Sequence, residues 1–332
     1  MTAPAVRRGF TLVELLVVTG LIGSLLAIVV VGLRSEGSEA TQLRRSAQAF
    51  ASAVLAAQSR AIGNPSGAGV LIDPVGVQGL VISSALIQPM ITGSVSSGMP
   101  PSDPAVTSAT IEVTPTNADV ADLIHGYQIM FGPTSAGDSA QFIRPESAWF
   151  SYAPLPSGSA VVRFRPFAGQ TAQNTIWPRS DGGAVPATIA RYPSKGDAVA
   201  TMDKLVAVDL RYSGVGSAPS TAFGRLDGQG AVAVTFDRTG SVREIMQDVL
   251  ATAARSTDPQ IPKQPIYFLV APRADIANSS VNVLSRQDVV WVTIFPQTGR
   301  VAISSNVPQM GTDTAALIAA RANATLGIPI GK

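Results

Sequence analysis

Few residues of this 332-residue chain can do acid–base, nucleophilic or metal chemistry. It has no Cys and a single His, His125. Ser-His-Asp and Cys-His catalysis, thiolate metal sites and His-rich metal sites are thereby almost excluded. No P-loop, HExxH, G-x-S-x-G or EF-hand loop occurs. Gly214-Val-Gly-Ser217 does not complete a dinucleotide fingerprint, and Asp181-Gly-Gly and Asp227-Gly read as turns. The Asp residues are scattered, whereas Ca²⁺ needs several converging oxygens. His125, in Leu-Ile-His-Gly-Tyr, reads as a loop histidine. Trp149 and Trp177 are dispersed, and Trp291 falls in a core strand. The expectation is a protein that is not an enzyme, with no catalytic residue, no cofactor and no metal.

One ionisable residue does need a reason for its position. Glu14 stands in an apolar stretch, and from Leu15 to Leu33 no residue is charged. A carboxylate there either pairs with a cation or snorkels toward lipid headgroups. At about 1.5 Å per residue the stretch, extended by Phe10, Leu12 and Val13, matches a hydrocarbon layer of about 30 Å. Arg7 and Arg8 precede it, which by the positive-inside rule keeps the N-terminus cytoplasmic and the rest outside. A cleaved secretory signal fits poorly. The apolar run is too long, and Arg34-Ser35-Glu36 follows it in place of a small-residue cleavage site. The formal charge of +2 owes two charges to Arg7 and Arg8. Without them 22 basic and 22 acidic side chains remain, so no nucleic-acid partner is expected.

The segment Arg7-Arg-Gly-Phe-Thr-Leu-Val-Glu-Leu-Leu-Val-Val18 resembles the class III signal of type IV pilins and type II secretion pseudopilins. The resemblance implies that a prepilin peptidase cuts after Gly9 and methylates the new N-terminus at Phe10. It also implies that Glu14, the fifth residue after the cut, pairs with the α-amine of a neighbouring subunit's Phe10 and sets axial register. It further implies a pilin-like α+β fold, with a long N-terminal helix, half transmembrane and half amphipathic, packed on an antiparallel β-sheet head. The implied partners are the prepilin peptidase, other pilin or pseudopilin subunits and an inner-membrane assembly platform. The implied place is the inner (cytoplasmic) membrane, single-pass, with the head periplasmic.

The expected organisation is a leader at residues 1–9, a transmembrane helix at 10–34, an amphipathic helix at 35–63 continuing into the head, and a β-rich head with long loops at 64–332. Leu43, Ala47, Phe50, Val54, Ala57 and Ala61 recur at four- and three-residue steps, a single helical face that a sheet of the same chain must cover. Gly63-Asn64-Pro65 ends that helix.

Strand-like runs occupy residues 69–72, 80–82, 127–131, 160–164, 205–212, 231–236, 266–271 and 289–295. Residues 83–117 and 168–196, rich in Ser, Pro, Gly and Thr, read as long loops. Phe236-Asp-Arg-Thr-Gly-Ser-Val242 and Phe295-Pro-Gln-Thr-Gly-Arg-Val301 share an F-x-x-T-G-x-V pattern. Gly240 and Gly299 suit a hairpin position with φ > 0. Such hairpin endings are similar to those of H-type minor pseudopilins. Residues 312–326 read as a helix capped by Thr312 or Asp313.

Two functions compete. The first is a structural subunit of a filament, a minor pseudopilin or minor type IV pilin. The second is a binding or adhesion module displayed on a pilin-like stalk. A tethered enzyme ranks third.

Overall fold

The structure is a computed structural model. It describes residues 12–96, 109–131, 141–143, 151–164, 185–218, 221–223, 230–251, 254–257, 261–311 and 314–326. The chain opens with helix α1 (Leu12–Ile62) and the hairpin β1 (Ala68–Val75) and β2 (Gln78–Leu86). Next come β3 (Ile91–Ser96), β4 (Ala109–Pro115), β5 (Gly126–Phe131), β6 (Gln141–Ile143), β7 (Ser151–Pro154), β8 (Ala160–Phe164) and β9 (Val185–Arg191). After them run β10 (Ser194–Thr201), β11 (Val206–Val215), β12 (Val232–Phe236), β13 (Val242–Ala251), β14 (Ala254–Thr257) and β15 (Ile266–Pro272). The short helix α2 (Arg273–Ala277), strands β16 (Val290–Ile294) and β17 (Val301–Ser305), and helix α3 (Thr314–Leu326) complete the order.

The larger sheet has the order β14-β13-β12-β1-β2-β11-β15-β16-β17, with β10 also paired to β2. β10 takes the C-terminal part of β2, from Ser194 opposite Leu86 to Thr201 opposite Val81, and β11 takes its start at Gln78 and Gly79. The sheet curls. The β12–β13 and β16–β17 hairpins lie toward opposite ends of its strand order, yet their turns touch. Val242 N–H donates to Pro296 O at 2.8 Å and Ser241 Oγ to Gln297 O at 2.7 Å.

The second half of α1 fills the concave side. Leu43, Ala47, Phe50, Val54, Ala57 and Ala61 pack with Ile72, Ile82, Val208, Val234, Phe268 and Val292. The Phe50 ring meets Phe268 edge-on at 5.0 Å. On the convex side α3 covers β15 and β16, burying Leu317, Ala320 and Ala324 against Leu269 and Trp291. Strands covered on both faces need no polar alternation. This accounts for β15 and β16, in which every residue is buried.

The smaller sheet, ordered β6-β5-β9-β3-β4-β8-β7, is an insertion. Residues 87–193 leave the larger sheet after β2 and return at β10, where Ser194 stands directly opposite Leu86. The insertion has its own core of Ile91, Val95, Val113, Leu123, Ile129, Val162 and Ile189. It docks on the convex face through Ala190 and Tyr192, which pack on Leu71, Ala233 and Met246. Tyr192 Oη donates to Ala231 O at 2.9 Å.

These observations correct three expectations. Strand makes up 42% and helix 29% of the structure, so a mostly antiparallel β fold replaces the expected pilin-like α+β fold. No helix among the described residues is long and apolar enough to cross a membrane. From Glu39 onward α1 also carries Arg44, Arg45 and Arg60. The transmembrane-helix assignment, and with it the single-pass inner-membrane location, is therefore overturned, and the pilin and secretion terms attached to it lose that support. The two supposed long loops are also partly strand: β3 and β4 lie within 83–117, and β9 and the start of β10 within 168–196.

Candidate assembly surface

Helix α1 is held at two levels of the head. Near its last turn the Gln58 amide donates to Gly240 O at 2.9 Å and Thr298 O at 3.0 Å, tying both hairpin turns to the helix. Near the base, the Glu39 carboxylate accepts from Arg286 Nη2 at 3.3 Å. Arg286 also bonds Asp275 of α2 and Asp288, the latter through Nε at 2.8 Å. The hydrogen bond to Asp288 heads the causes that push the Arg286 pKa well above its ordinary value, so this cation never titrates. Between these ties the apolar stripe lies in the sheet.

From Leu16 to Ile22 the environment reverses. Leu16, Val17, Val18, Leu21 and Ile22 are 42–65% exposed. They lie on all sides of the helix, so no rotation of it could hide them. The polar side chains among them turn inward on the backbone: Thr19 Oγ1 donates to Leu16 O at 3.0 Å and Ser24 Oγ to Leu21 O at 2.9 Å. Such back-bonding removes hydroxyl polarity from the helix surface. The result is an apolar segment, continuous with a buried helix, that the chain itself leaves uncovered.

Of the residues singled out from the sequence, Gly9 and Phe10 lie outside the described residues. Glu14 falls within α1, though its side chain lies outside what is described. His125 ends a 3₁₀ turn, Val120–His125, at the edge of β5.

Other polar groups escaped the sequence reading. Arg321 of α3 is fully buried and has no carboxylate beside it among the described residues. Its guanidinium donates to Tyr212 O at 2.8 and 3.2 Å, to Gly216 O at 2.8 Å and to Ala218 O at 3.1 Å. Burial lowers its pKa to about 10. The carbonyls belong to a bulged stretch of β11 and the turn after it, where register slips between Asp209 and Gly214. In the same stretch Asp209 is buried against Arg211 at 2.8 and 3.0 Å. Desolvation raises the Asp209 pKa despite that ion pair. No spacing rule announces either group, because the partners of Arg321 lie far away in sequence and Asp209 is buried by tertiary packing.

Two clefts remain. One of about 640 Å³ opens beside the base of α1, between Glu39 and Gln42 on one wall and Lys204, Leu205, Arg273 and Ala277 on the other. The second, about 230 Å³, lies where the insertion meets the larger sheet, beside Pro65, Pro89, Arg191, Arg243 and Met246. Among the described residues no group of His, Cys, Asp and Glu side chains is placed to hold a metal ion.

No family model matches the chain, and no curated protein matches it. The prepilin-type likeness therefore rests on residues 7–18 alone.

Proposed function

We propose that this chain is a structural, pilin-like subunit that assembles with other subunits through its N-terminal helix after cleavage behind Gly9. The observation that carries the proposal is the exposure of Leu16, Val17, Val18, Leu21 and Ile22 on a helix whose other half is locked in the head. Uncovered apolar surface of this kind marks an interaction site. Helix-to-helix or helix-to-head packing against neighbours removes it from water. Glu14 is the only charge between Leu12 and Leu33, and in such an assembly it needs a cation from a neighbouring subunit.

Processing supplies the test. Co-expression with a prepilin peptidase yields a chain that starts at N-methyl-Phe10 by mass spectrometry, and Gly9→Val blocks the cut. A mature start elsewhere, or an uncut chain with the peptidase present, overturns the reading.

The inserted sheet favours a second reading, a binding module displayed on the same stalk. Its core is separate and both its connections run through one strand pair. Replacing residues 88–193 by a short turn separates the two readings. A purely structural subunit keeps its function without the insertion, and a displayed binder loses surface adhesion while assembly persists.

A further inference from the structure

We infer that the cleft of about 230 Å³ between the insertion and the larger sheet binds a small apolar carboxylate, a leucine-sized group with one free carboxyl, and that the Arg243 guanidinium meets its charge. The site is independent of the assembly reading above. It lies by the contact of the insertion with the convex side of the larger sheet, whereas α1 fills the concave side.

A β-bulge places Arg243 there. In the β12–β13 pairing Thr235 stands opposite Glu244 and Phe236 opposite Val242, so Arg243 has no residue facing it. A bulge of this kind re-aims the side chain of the extra residue. The bulge is also clamped, since Val242 N–H donates to Pro296 O at 2.8 Å. The Arg243 side chain lines the cleft part-buried and makes no hydrogen bond or ion pair among the described residues. A guanidinium carries five N–H donors and keeps its charge, so a partner is worth gaining.

The other charged groups of the cleft are committed. Arg191 Nε donates to Pro89 O at 2.9 Å, and its Nη1 lies 3.7 Å from Asp122. Glu244 is buried in the same wall and has a partner of its own. The cation left for a ligand is Arg243, which matches a single negative charge. A compact dianion gains no second free cation and meets the Glu244 carboxylate.

The rest of the wall is apolar and stiff. Pro65, Pro89 and Pro193 line it, and their locked φ leaves little to order when a ligand enters. Buried Met246 and exposed Met90 add soft, adaptable surface. The volume falls below the roughly 300–1,000 Å³ of sites for drug-sized ligands, so the cleft takes one residue-sized group and not a whole cofactor. Pro89, Met90 and Arg191 belong to the insertion, and Arg243 and Met246 to β13, so the ligand bridges the two sheets.

Titration calorimetry on the full chain tests this with N-acetyl-leucine, which mimics the end of a peptide, and isocaproate, a free acid of the same shape. At least one should bind saturably, and the tighter of the two identifies the source of the carboxylate. N-acetyl-leucinamide, which lacks the charge, should bind about tenfold more weakly than N-acetyl-leucine, and Arg243→Gln should weaken the acid by a similar factor. Ser66→Trp, at an exposed position on the rim, fills the cleft and should abolish binding with an unchanged melting temperature. Failure of both acids to bind, equal binding of acid and amide, or full binding by either variant overturns the site. Inorganic phosphate that competes as well as the acids overturns the ligand class. None of these results bears on cleavage behind Gly9 or on assembly.

Discussion

Gly299 shows how much of this fold depends on one residue. Its φ is 65°, and a Cβ there would lie 2.0 Å from Gly240 O and 2.2 Å from the Gln58 amide nitrogen. Gly299→Ala thus adds backbone strain and breaks the tie between the two hairpin turns and α1. We expect a loss of about 3 kcal/mol in denaturant unfolding. Gly76→Ala is the control, since its φ is also positive, at 61°, with open space around the new Cβ. It should cost about 1 kcal/mol. Equal losses would show that the turn-to-turn contact contributes nothing.

Asp237, in the first turn, adds a pH dependence. Burial tends to raise its pKa, but hydrogen bonds from Thr239, Ser241 and Gly240 outweigh this and hold it below 3.8. A depressed carboxylate stabilises the fold above its unfolded value, and that contribution fades as pH falls through the folded value. The second turn has Pro296 at the same place and cannot titrate. Asp237→Asn should lower stability at neutral pH and flatten its fall below pH 3.8, by a small margin because the site is open to solvent. An unchanged acid slope would contradict this. The T-G pair marked both turns in the sequence, and both glycines do have positive φ. That the turns meet, with Gln58 between them, was not legible, because no local pattern relates three segments so far apart in the chain.

Among the elements, periodicity served best where one face is wholly buried. The stripe from Leu43 to Ala61 is the stripe that the sheet covers. Each of the eight apolar runs falls on a strand. Strands β3, β4, β9 and β10, inside the two supposed loops, were among those missed, and each is diluted by Ser, Thr, Gly or Pro. Their status comes from pairing and not from apolar content: β10 reads Ser-Lys-Gly-Asp-Ala-Val-Ala-Thr and is held by its ladder to β2 and by Lys195 on Asp73. The alternation of Ile91, Gly93 and Val95 in β3 was the available signal, diluted by small residues.

α3 was foreseen as a packing helix, but not for the guanidinium at its centre. Arg321 satisfies carbonyls that the β11 bulge cannot pair, and the planar fork is what reaches several of them at once. Arg321→Lys should therefore cost about 2–4 kcal/mol in thermal unfolding, although charge is kept. An unchanged transition would mean that water or backbone adjustment satisfies those carbonyls as well.

Over the whole molecule, the architecture is a curled sheet wrapped on the second half of α1, an inserted sheet docked on its back, and an uncovered apolar helix segment. The uncovered segment was readable as an apolar run. Its reading as a membrane crossing is overturned, since no helix among the described residues is long and apolar enough to cross. The insertion was not readable, since nothing local records that Leu86 and Ser194 stand side by side. The central claim, that Leu16 to Ile22 exists to be covered by another subunit, is tested by sedimentation velocity on the full chain across a concentration series. Val17→Glu with Leu21→Glu puts two charges one helical turn apart on that surface, without touching the head. The wild-type chain should associate as concentration rises, and the variant should stay monomeric with an unchanged melting temperature. A wild-type chain that stays monomeric throughout, or a variant that associates as strongly as wild type, would contradict the claim.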